Sequence, residues 1–263
     1  MGPVLRILAR AAFVIGVLVV AQPACSQGEG GGSIQGTLNA PDCWTGSFEL
    51  GADFFAANPY KRTMLLRIQS GSDFQTFSDG FTILINDTTK IRPDTTKNFA
   101  GAYKQPLVVD LPPEVKPPGT PVVANASPAL VNMELYLQKS CQTQDVALHV
   151  VKEVTLPTDK DAATECAVPA MEAADPQNGC AAGAAAAGLG SGKSFISFTS
   201  VSNGKLDETV AAERLNSGCF DVYLADPRDA QAGGQGPAPP CRGHIRGTFS
   251  FFYERGKPSQ PFP

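Results

Sequence analysis

The chain has 263 residues and a formal net charge of −4. This acidic composition contains no basic run, so the sequence lacks the electrostatic footprint of a nucleic-acid-binding protein, and we expect no nucleic-acid partner. The two histidines lie far apart and no C-x-x-C pair occurs. This spacing does not favour a zinc site, and we expect neither a metal nor another cofactor.

Residues 1–25 have the three parts of a secretory signal peptide. Arg6 and Arg10 provide the positive charge, and residues 11–21 (AAFVIGVLVVA) form the apolar segment. That segment is far shorter than the ~20 residues that a membrane-spanning helix needs. Removal of residues 1–25 takes away two arginines and no acidic residue, so the net charge of the mature chain is −6.

The cleavage region allows two interpretations. Residues 20–25 (VAQPAC) resemble a bacterial lipobox, in which a small residue precedes the cysteine that is lipidated and becomes the first residue. Ala24 and Cys25 fit this pattern, whereas Gln22 stands where an apolar residue is usual. The alternative is ordinary cleavage after Ser26, with Ala24 and Ser26 as the small residues of the site.

Two further observations favour lipidation of Cys25. Residues 26–33 (SQGEGGGS) are rich in Gly and Ser and predict a flexible tether, which a lipoprotein needs to hold a folded domain off a membrane. A serine directly after Cys25 favours the outer membrane, with a periplasmic or secreted protein as the alternative location. The second observation is the cysteine count.

The chain has seven cysteines, and setting Cys25 aside leaves six, the number that three disulfides in an oxidising compartment require. The six candidates are Cys43, Cys141, Cys166, Cys180, Cys219 and Cys241. Sequence alone does not choose among their pairings. From the loops that most need closing, we predict Cys43–Cys141, Cys166–Cys180 and Cys219–Cys241.

Short apolar, β-branched and aromatic runs bounded by turn-forming residues predict strands. They are residues 64–68, 81–85, 131–137, 146–156, 195–201, 220–224 and 245–253. The run 131–137 alternates strictly and places Val131, Met133, Leu135 and Leu137 on one face. The pattern predicts a mainly β fold: a two-layer antiparallel β-sandwich with long Pro- and Ala/Gly-rich loops and at most one short helix.

The other segments predict irregular structure. Residues 106–128 are proline-rich and indicate an extended connection, and residues 162–192 form a low-complexity Ala/Gly loop insertion. One short helix is expected from Asp207 to Leu215, with Gly218 stopping it. We assign residues 34–263 to a single domain, because all-β sandwiches reach this length.

Two segments share the pattern I-x-G-T followed by an apolar residue. They are residues 34–38 (IQGTL) and 245–249 (IRGTF). Because no fixed period repeats the pattern, we attribute it to chance similarity between two strands.

No motif assigns a catalytic residue. Residues 187–194 (AGLGSGKS) lack the first glycine of a phosphate-binding loop and the strand and helix that flank it, so a flexible loop is favoured. A serine triad would need a histidine base, but we expect a packed strand position for His149 and a surface position for His244.

Other polar and aromatic groups also have structural explanations. Asp159 and Asp161 lack the further, regularly spaced oxygen ligands that a calcium-binding loop needs. Asp226 and Asp229 follow a strand, which indicates a turn. The aromatic residues Trp44, Phe54, Phe55 and Tyr60 could stack on sugars, but packing in the core is favoured.

Several short blocks together resemble a family of uncharacterised lipoproteins from myxobacteria. They are residues 42–46 (DCWTG), 78–80 (SDG), 137–141 (LQKSC), 225–229 (ADPRD) and 255–263 (RGKPSQPFP). The blocks are scattered over residues 34–263, and residues 162–192 have no counterpart. The resemblance implies an envelope lipoprotein; it implies no activity and transfers no functional residue.

We therefore expect a bacterial envelope lipoprotein, held to the membrane by a lipid on Cys25, with a non-enzymatic structural or binding role and an envelope protein or glycan as partner. Two alternatives stay open. A secreted or tethered hydrolase acting on a polymer predicts a cleft with paired carboxylates of perturbed pKa. A carbohydrate-binding or adhesin module predicts an exposed row of aromatic side chains.

Overall fold

The computed structural model describes residues 30–40, 43–71, 78–91, 102–109, 129–141, 146–158, 166, 193–202, 214–229 and 238–252. Only the backbone is described for residues 102–109. Within these ranges, no helix is long and apolar enough to cross a membrane.

The described chain is built almost entirely from strands, which confirms the predicted fold class. The strands are β1 (Gly30–Ala40), β2 (Trp44–Leu50), β3 (Phe54–Tyr60), β4 (Thr63–Ser70), β5 (Asp79–Ile85), β6 (Ala102–Val109), β7 (Val131–Leu137), β8 (Ala147–Val151), β9 (Phe195–Ser200), β10 (Leu215–Ala225) and β11 (Gly243–Phe252). Two single turns of helix accompany them, α1 (Thr88–Ile91) and a 3₁₀ turn (Pro227–Asp229).

Neighbouring strands pair antiparallel along one path, β2-β1-β11-β10-β8-β7-β5-β4-β3. The sheet branches at β10, which pairs with β9 through residues 217–221 and with β8 through residues 223–225. Strand β9 also pairs with β6. A long strand that changes neighbours in this way lets one sheet continue into a second layer.

The two layers pack face to face through aromatic side chains. Phe81 on β5 stacks on Phe220 of β10 with ring centroids 4.7 Å apart, and Phe55 on β3 packs against Phe251 of β11 at 5.6 Å. One layer therefore contains β1, β2, β6 and β9–β11, and the other contains β3–β5, β7 and β8. The core is formed by alternate side chains of the strands: on β7, the four residues predicted to face inward are all buried.

The two I-x-G-T segments lie side by side in β1 and β11. Ile34 pairs with Gly247, and Gly36 pairs with Ile245, so each isoleucine faces a glycine of the other strand. A Cβ on Gly36 would meet the carbonyl oxygen of His244, and a Cβ on Gly247 would meet the ring of Phe220. The glycine of each segment thus has a packing reason of its own.

Glycine also explains why part of the predicted tether is a strand. Gly30, Gly31 and Gly32 begin β1 and pair with residues 249–251 of β11. A Cβ on Gly30 would meet the Cβ of Phe251, and one on Gly32 would lie 3.1 Å from the ring of Phe55. The tether prediction is therefore wrong for residues 30–33, while residues 26–29 lie outside the described ranges.

The predicted helix from Asp207 to Leu215 is also corrected at its end. Leu215 is the first residue of β10, and Gly218 lies inside that strand rather than stopping a helix. A Cβ on Gly218 would lie 2.9 Å from the ring of Phe249, its partner in β11. Gly218 is needed to make room for the phenylalanine, and residues 207–213 lie outside the described ranges.

Candidate functional site

The disulfides cross-link distant parts of the sandwich. Cys43, just before β2, is bonded to Cys141, just after β7. This pairing was predicted, and it ties the two layers together across 98 residues of sequence. Cys166 is bonded to Cys241, so the predicted pairings Cys166–Cys180 and Cys219–Cys241 are wrong.

Cys219 is also disulfide-bonded, and it is fully buried on β10. Because the other described cysteines are bonded to one another, the partner of Cys219 is Cys25 or Cys180, both of which lie outside the described residues. The Cys166–Cys241 bond is part of a small second apolar cluster on the outer face of the β10–β11 layer. That cluster consists of Val151, Val154, Cys166, Tyr223, Ala225 and Cys241.

Beside this cluster lies the most distinctive polar group of the described chain, Asp221, His244 and Arg246. Asp221 lies on β10 and pairs across the strands with Arg246 of β11. His244 is two positions from Arg246 on the same face, opposite Tyr223. Strand alternation places all three on the outer face, because Val222 and Ile245 between them are buried in the main core.

The carboxylate of Asp221 bridges the two basic side chains. Nε2 of His244 donates a hydrogen bond to Oδ1 of Asp221, and Nε of Arg246 donates to Oδ2 at 2.7 Å. The imidazole is 1% exposed, whereas the side chains of Asp221 and Arg246 are 19% and 20% exposed. The Tyr223 ring stacks on the imidazole at 4.3 Å. The cluster therefore combines a buried imidazole with a partly exposed ion pair between Asp221 and Arg246.

The bond to Asp221 determines the hydrogen-bonding capacity of His244. In the neutral imidazole, donation by Nε2 leaves Nδ1 as an acceptor, and Nδ1 finds no hydrogen-bond partner in the described structure. No group of three or more His, Cys, Asp or Glu side chains that could hold a metal ion occurs in the described ranges. The geometry thus supports a structural ion cluster that pins the outer faces of β10 and β11 together.

The burial of His244 differs from the predicted surface position. The alternation of its strand does place His244 on the outer face of the layer. The Tyr223 ring that stacks on His244 belongs to the same apolar cluster as Cys166 and Cys241, and the position of these residues depends on contacts far along the sequence. The short spacing between Cys241 and His244 was the one local signal that a cross-link lies close to the histidine.

His149 differs in the opposite direction. We expected a packed position, but its side chain is 42% exposed and its Nε2 lies 4.0 Å from Oε2 of Glu134 on β7. The two residues pair across β7 and β8 on the outer face of the second layer. This weak surface ion pair gives no support to a catalytic role for His149.

The outer face of the second layer carries an uncharged polar pair, Gln69 and Tyr136, beside the cationic side chain of Arg67. Nε2 of Gln69 donates a hydrogen bond to the hydroxyl of Tyr136 at 2.5 Å. Burial raises the pKa of Tyr136 to about 12, although Gln69 and Arg67 act in the other direction. Burial also lowers the pKa of Arg67. The phenol therefore stays protonated in the fold.

The acidic residues after β10 form the turn that was predicted. Oδ1 of Asp226 accepts a hydrogen bond from the backbone N–H of Arg228 at 2.8 Å, and the guanidinium of Arg228 donates to both carboxylate oxygens. Asp229 accepts hydrogen bonds from the side chain of Arg242 at 2.6 and 2.9 Å. Asp159 and Asp161 lie outside the described residues, as do residues 187–192 of the phosphate-loop-like segment.

The aromatic residues that could have formed a sugar platform are mostly packed inward. Trp44 packs against the core and meets Phe48 edge-on, with ring centroids 5.6 Å apart. Phe55 is buried against Phe251, and Phe54 is half-buried. Tyr60 is the one large hydrophobic residue that is exposed among the described residues, at 65%. No aromatic row is formed by these four side chains.

Comparison of the chain with family models, with curated proteins and with solved structures finds no match. The resemblance to myxobacterial lipoproteins therefore stays a prediction from the sequence.

Proposed function

We propose that this chain is a lipid-anchored domain of the bacterial cell envelope. It serves as a binding or structural module and does not act as an enzyme. The observation that carries the proposal is the pair of disulfides, Cys43–Cys141 and Cys166–Cys241. Disulfides of this kind persist in oxidising compartments outside the cytoplasm. They agree with the signal peptide that the first 25 residues predict.

The state of the carboxylates supports a non-enzymatic role. Both oxygens of Asp221 are used by His244 and Arg246, and Asp226 and Asp229 are held by Arg228 and Arg242. Asp79 accepts hydrogen bonds from the backbone N–H groups of Lys139 and Ser140 at 2.9 and 3.0 Å. These groups stabilise turns and strand pairs, whereas an acid–base catalyst must present its carboxylate to a substrate.

The anchor is tested by producing the full chain in a bacterial host that is fed an alkyne-labelled fatty acid. The expected result is label on the wild type, recovery in the outer-membrane fraction, and loss of both in the Cys25→Ser variant. Cys25→Ser keeps Ala24 and Ser26, so ordinary cleavage and export remain available to it. A matched Ser33→Ala variant should keep the label. An unlabelled wild type released as a soluble exported protein would overturn the proposal.

A further inference from the structure

Cys219 has a disulfide partner that the other described cysteines do not supply. The other four are bonded to one another in two pairs, whereas Cys219 is itself disulfide-bonded. The chain contains two further cysteines, Cys25 and Cys180. One of these two is the partner of Cys219, and the choice decides whether the sulfur of Cys25 is available for a lipid.

Export takes Cys25 out of this choice in both interpretations of the cleavage region. In a lipobox the sulfur of Cys25 is alkylated by the lipid, and an alkylated sulfur forms no disulfide. With ordinary cleavage after Ser26, Cys25 leaves with the signal peptide. In either case, Cys180 is the cysteine of the mature chain that is left to pair with Cys219.

The position of Cys219 agrees with a partner above the outer face of β10. Phe220 is buried in the main core, so strand alternation places Cys219 on the opposite face, together with Asp221 and Tyr223. Ser197 of β9 pairs directly with Cys219 and faces the same way. The exposed fractions of Cys219 and Ser197 are only 0% and 1%. This part of the outer face is therefore covered, as a bonded segment above the sulfur would cover it.

The chain on both sides of Cys180 is held beside the same strand. Before it, Cys166 packs in the second apolar cluster with Tyr223. After it, Oγ of Ser194 accepts a hydrogen bond from the N–H of Tyr223 at 2.7 Å. Cys180 is 14 residues from Cys166 and 14 residues from Ser194. Cys219 is four residues from Tyr223 on the same face of β10.

These spacings leave ample chain length for the bond. Four residues of a strand span roughly 13 Å, whereas 14 residues of extended chain reach up to roughly 46–50 Å. Both connections to residue 180 can therefore reach Cys219 without being fully extended.

A bond from Cys25 would need a sharper path. Gly30, the first residue of β1, pairs with Phe251, whereas Cys219 pairs with Thr248 of the same strand. Strand β1 reaches the level of Thr248 only at Ser33. Residues 26–29 would thus have to reverse direction and cross over β11 to bring Cys25 to Cys219. The strand register favours Cys180 on this ground as well.

We propose that Cys180 and Cys219 form a third disulfide, which fixes residue 180 to the outer face of β10. This inference goes beyond the proposed function, and it rests on export of the chain but not on the lipid. In the bond-forming step, the two thiols lose two protons and two electrons as the S–S bond forms. A disulfide-donating oxidant outside the cytoplasm takes up both and is reduced to a dithiol.

The bond leaves Cys25 as the one cysteine without a partner in the protein. All six cysteines that follow residue 25 are then paired, and oxidative folding does not compete with the lipid for a sulfur. The third disulfide and the Cys166–Cys241 bond lie on the same outer face, on either side of Asp221 and His244 along the strands.

The experiment is disulfide mapping of the full exported chain. The protein is denatured without reduction, its free thiols are alkylated with a maleimide, and its peptides are identified by mass. We expect a wild-type peptide pair joining Cys180 to Cys219, with no maleimide on either cysteine. Cys180→Ser should show one new alkylated thiol, at Cys219. The matched control Cys25→Ser also removes one cysteine and should show none.

A wild-type peptide pair joining Cys25 to Cys219, or free thiols at Cys180 and Cys219, would overturn the inference. The opposite response of the two variants, with the new thiol in Cys25→Ser, would overturn it too. The wild-type map decides the pairing even where a variant is not exported. Fatty-acid labelling reports separately on the anchor: an unlabelled chain with the Cys180–Cys219 bond refutes only the anchor, and a labelled chain without that bond refutes only the third disulfide.

Discussion

The two faces of the β1–β11–β10 layer are stabilised in different ways. On the inner face, glycines make room for aromatic and branched side chains, as where Gly247 lies beneath the Phe220 ring. On the outer face, Asp221 bridges His244 and Arg246 with charge-assisted hydrogen bonds. The inner face depends on shape and is indifferent to pH, whereas the polar groups outside the core depend on their protonation. The same strands are therefore stabilised by packing on the inner face and by electrostatic interactions on the outer face.

The largest effect is expected where the inner face is filled. Gly36→Ala places a Cβ against the carbonyl oxygen of His244 and 2.8 Å from Cα of Ile245, both of which belong to a paired strand. We expect a loss of about 3 kcal/mol in the free energy of unfolding, measured by urea denaturation. Gly31→Ala on the same strand is the control, because its Cβ would meet nothing within 4 Å. Equal stability of the two variants would contradict the packing account.

A smaller effect is expected on the outer face. Asp221→Asn removes the negative charge that His244 and Arg246 share, and we expect a loss of about 2 kcal/mol in the free energy of unfolding. The control is Glu49→Gln, an exposed residue on the same face, with an expected change within about 0.5 kcal/mol. If both variants unfold at the same urea concentration, the cluster contributes no stability.

Acid pH should weaken the stabilisation that comes from polar groups outside the core, of which Asp226 is an example. Burial acts to raise the pKa of Asp226, but hydrogen bonds from Arg228 outweigh it and hold that pKa below its usual value. A lowered folded pKa gives stability that is present above the unfolded pKa and is lost as the pH falls through the folded pKa. We expect Asp226→Asn to cost about 1 kcal/mol at neutral pH. Denaturation at several pH values should show the difference from wild type closing in acid, and a constant difference would contradict this assignment.

The smallest effect is expected at alkaline pH, from Tyr136. Its folded pKa of about 12 lies above the ordinary value of 10.0, so its contribution to stability is full below the unfolded pKa and is lost as the pH rises toward the folded one. Tyrosinate absorbance of the wild type should include a late-titrating phenol that belongs to Tyr136. That phenol should be missing in Tyr136→Phe and retained in Tyr60→Phe, and its persistence in Tyr136→Phe would refute the assignment.

The fold class was predictable because its signals are local. The alternation of residues 131–137 identifies both β7 and its inward face, and the turn at Asp226 follows from residues that are adjacent in sequence. These features depend on backbone geometry and short-range hydrogen bonds. They need no knowledge of which strand lies beside which.

The errors at residues 30–33, at His244 and in the disulfide pairing involve partners that are far apart in sequence. Residues 30–33 resemble a flexible linker until β11 supplies the aromatic residues that fill the space above their glycines. His244 looks exposed until Tyr223 of β10 stacks on its ring, beside the mispredicted Cys166–Cys241 bond. The I-x-G-T pattern was visible, but its meaning depends on the register of β1 against β11. Non-local pairing, rather than propensity, limits what this sequence predicts about the site.

We propose a disulfide-linked domain that is held on a lipid anchor. The most direct test is the intact mass of the protein taken from the membrane fraction, followed by mapping of its disulfide-linked peptides without reduction. We expect a chain that begins at Cys25 and carries a lipid, with linked peptides joining Cys43 to Cys141 and Cys166 to Cys241. A lipid-free chain beginning near Gln27, with free thiols at these cysteines, would contradict it.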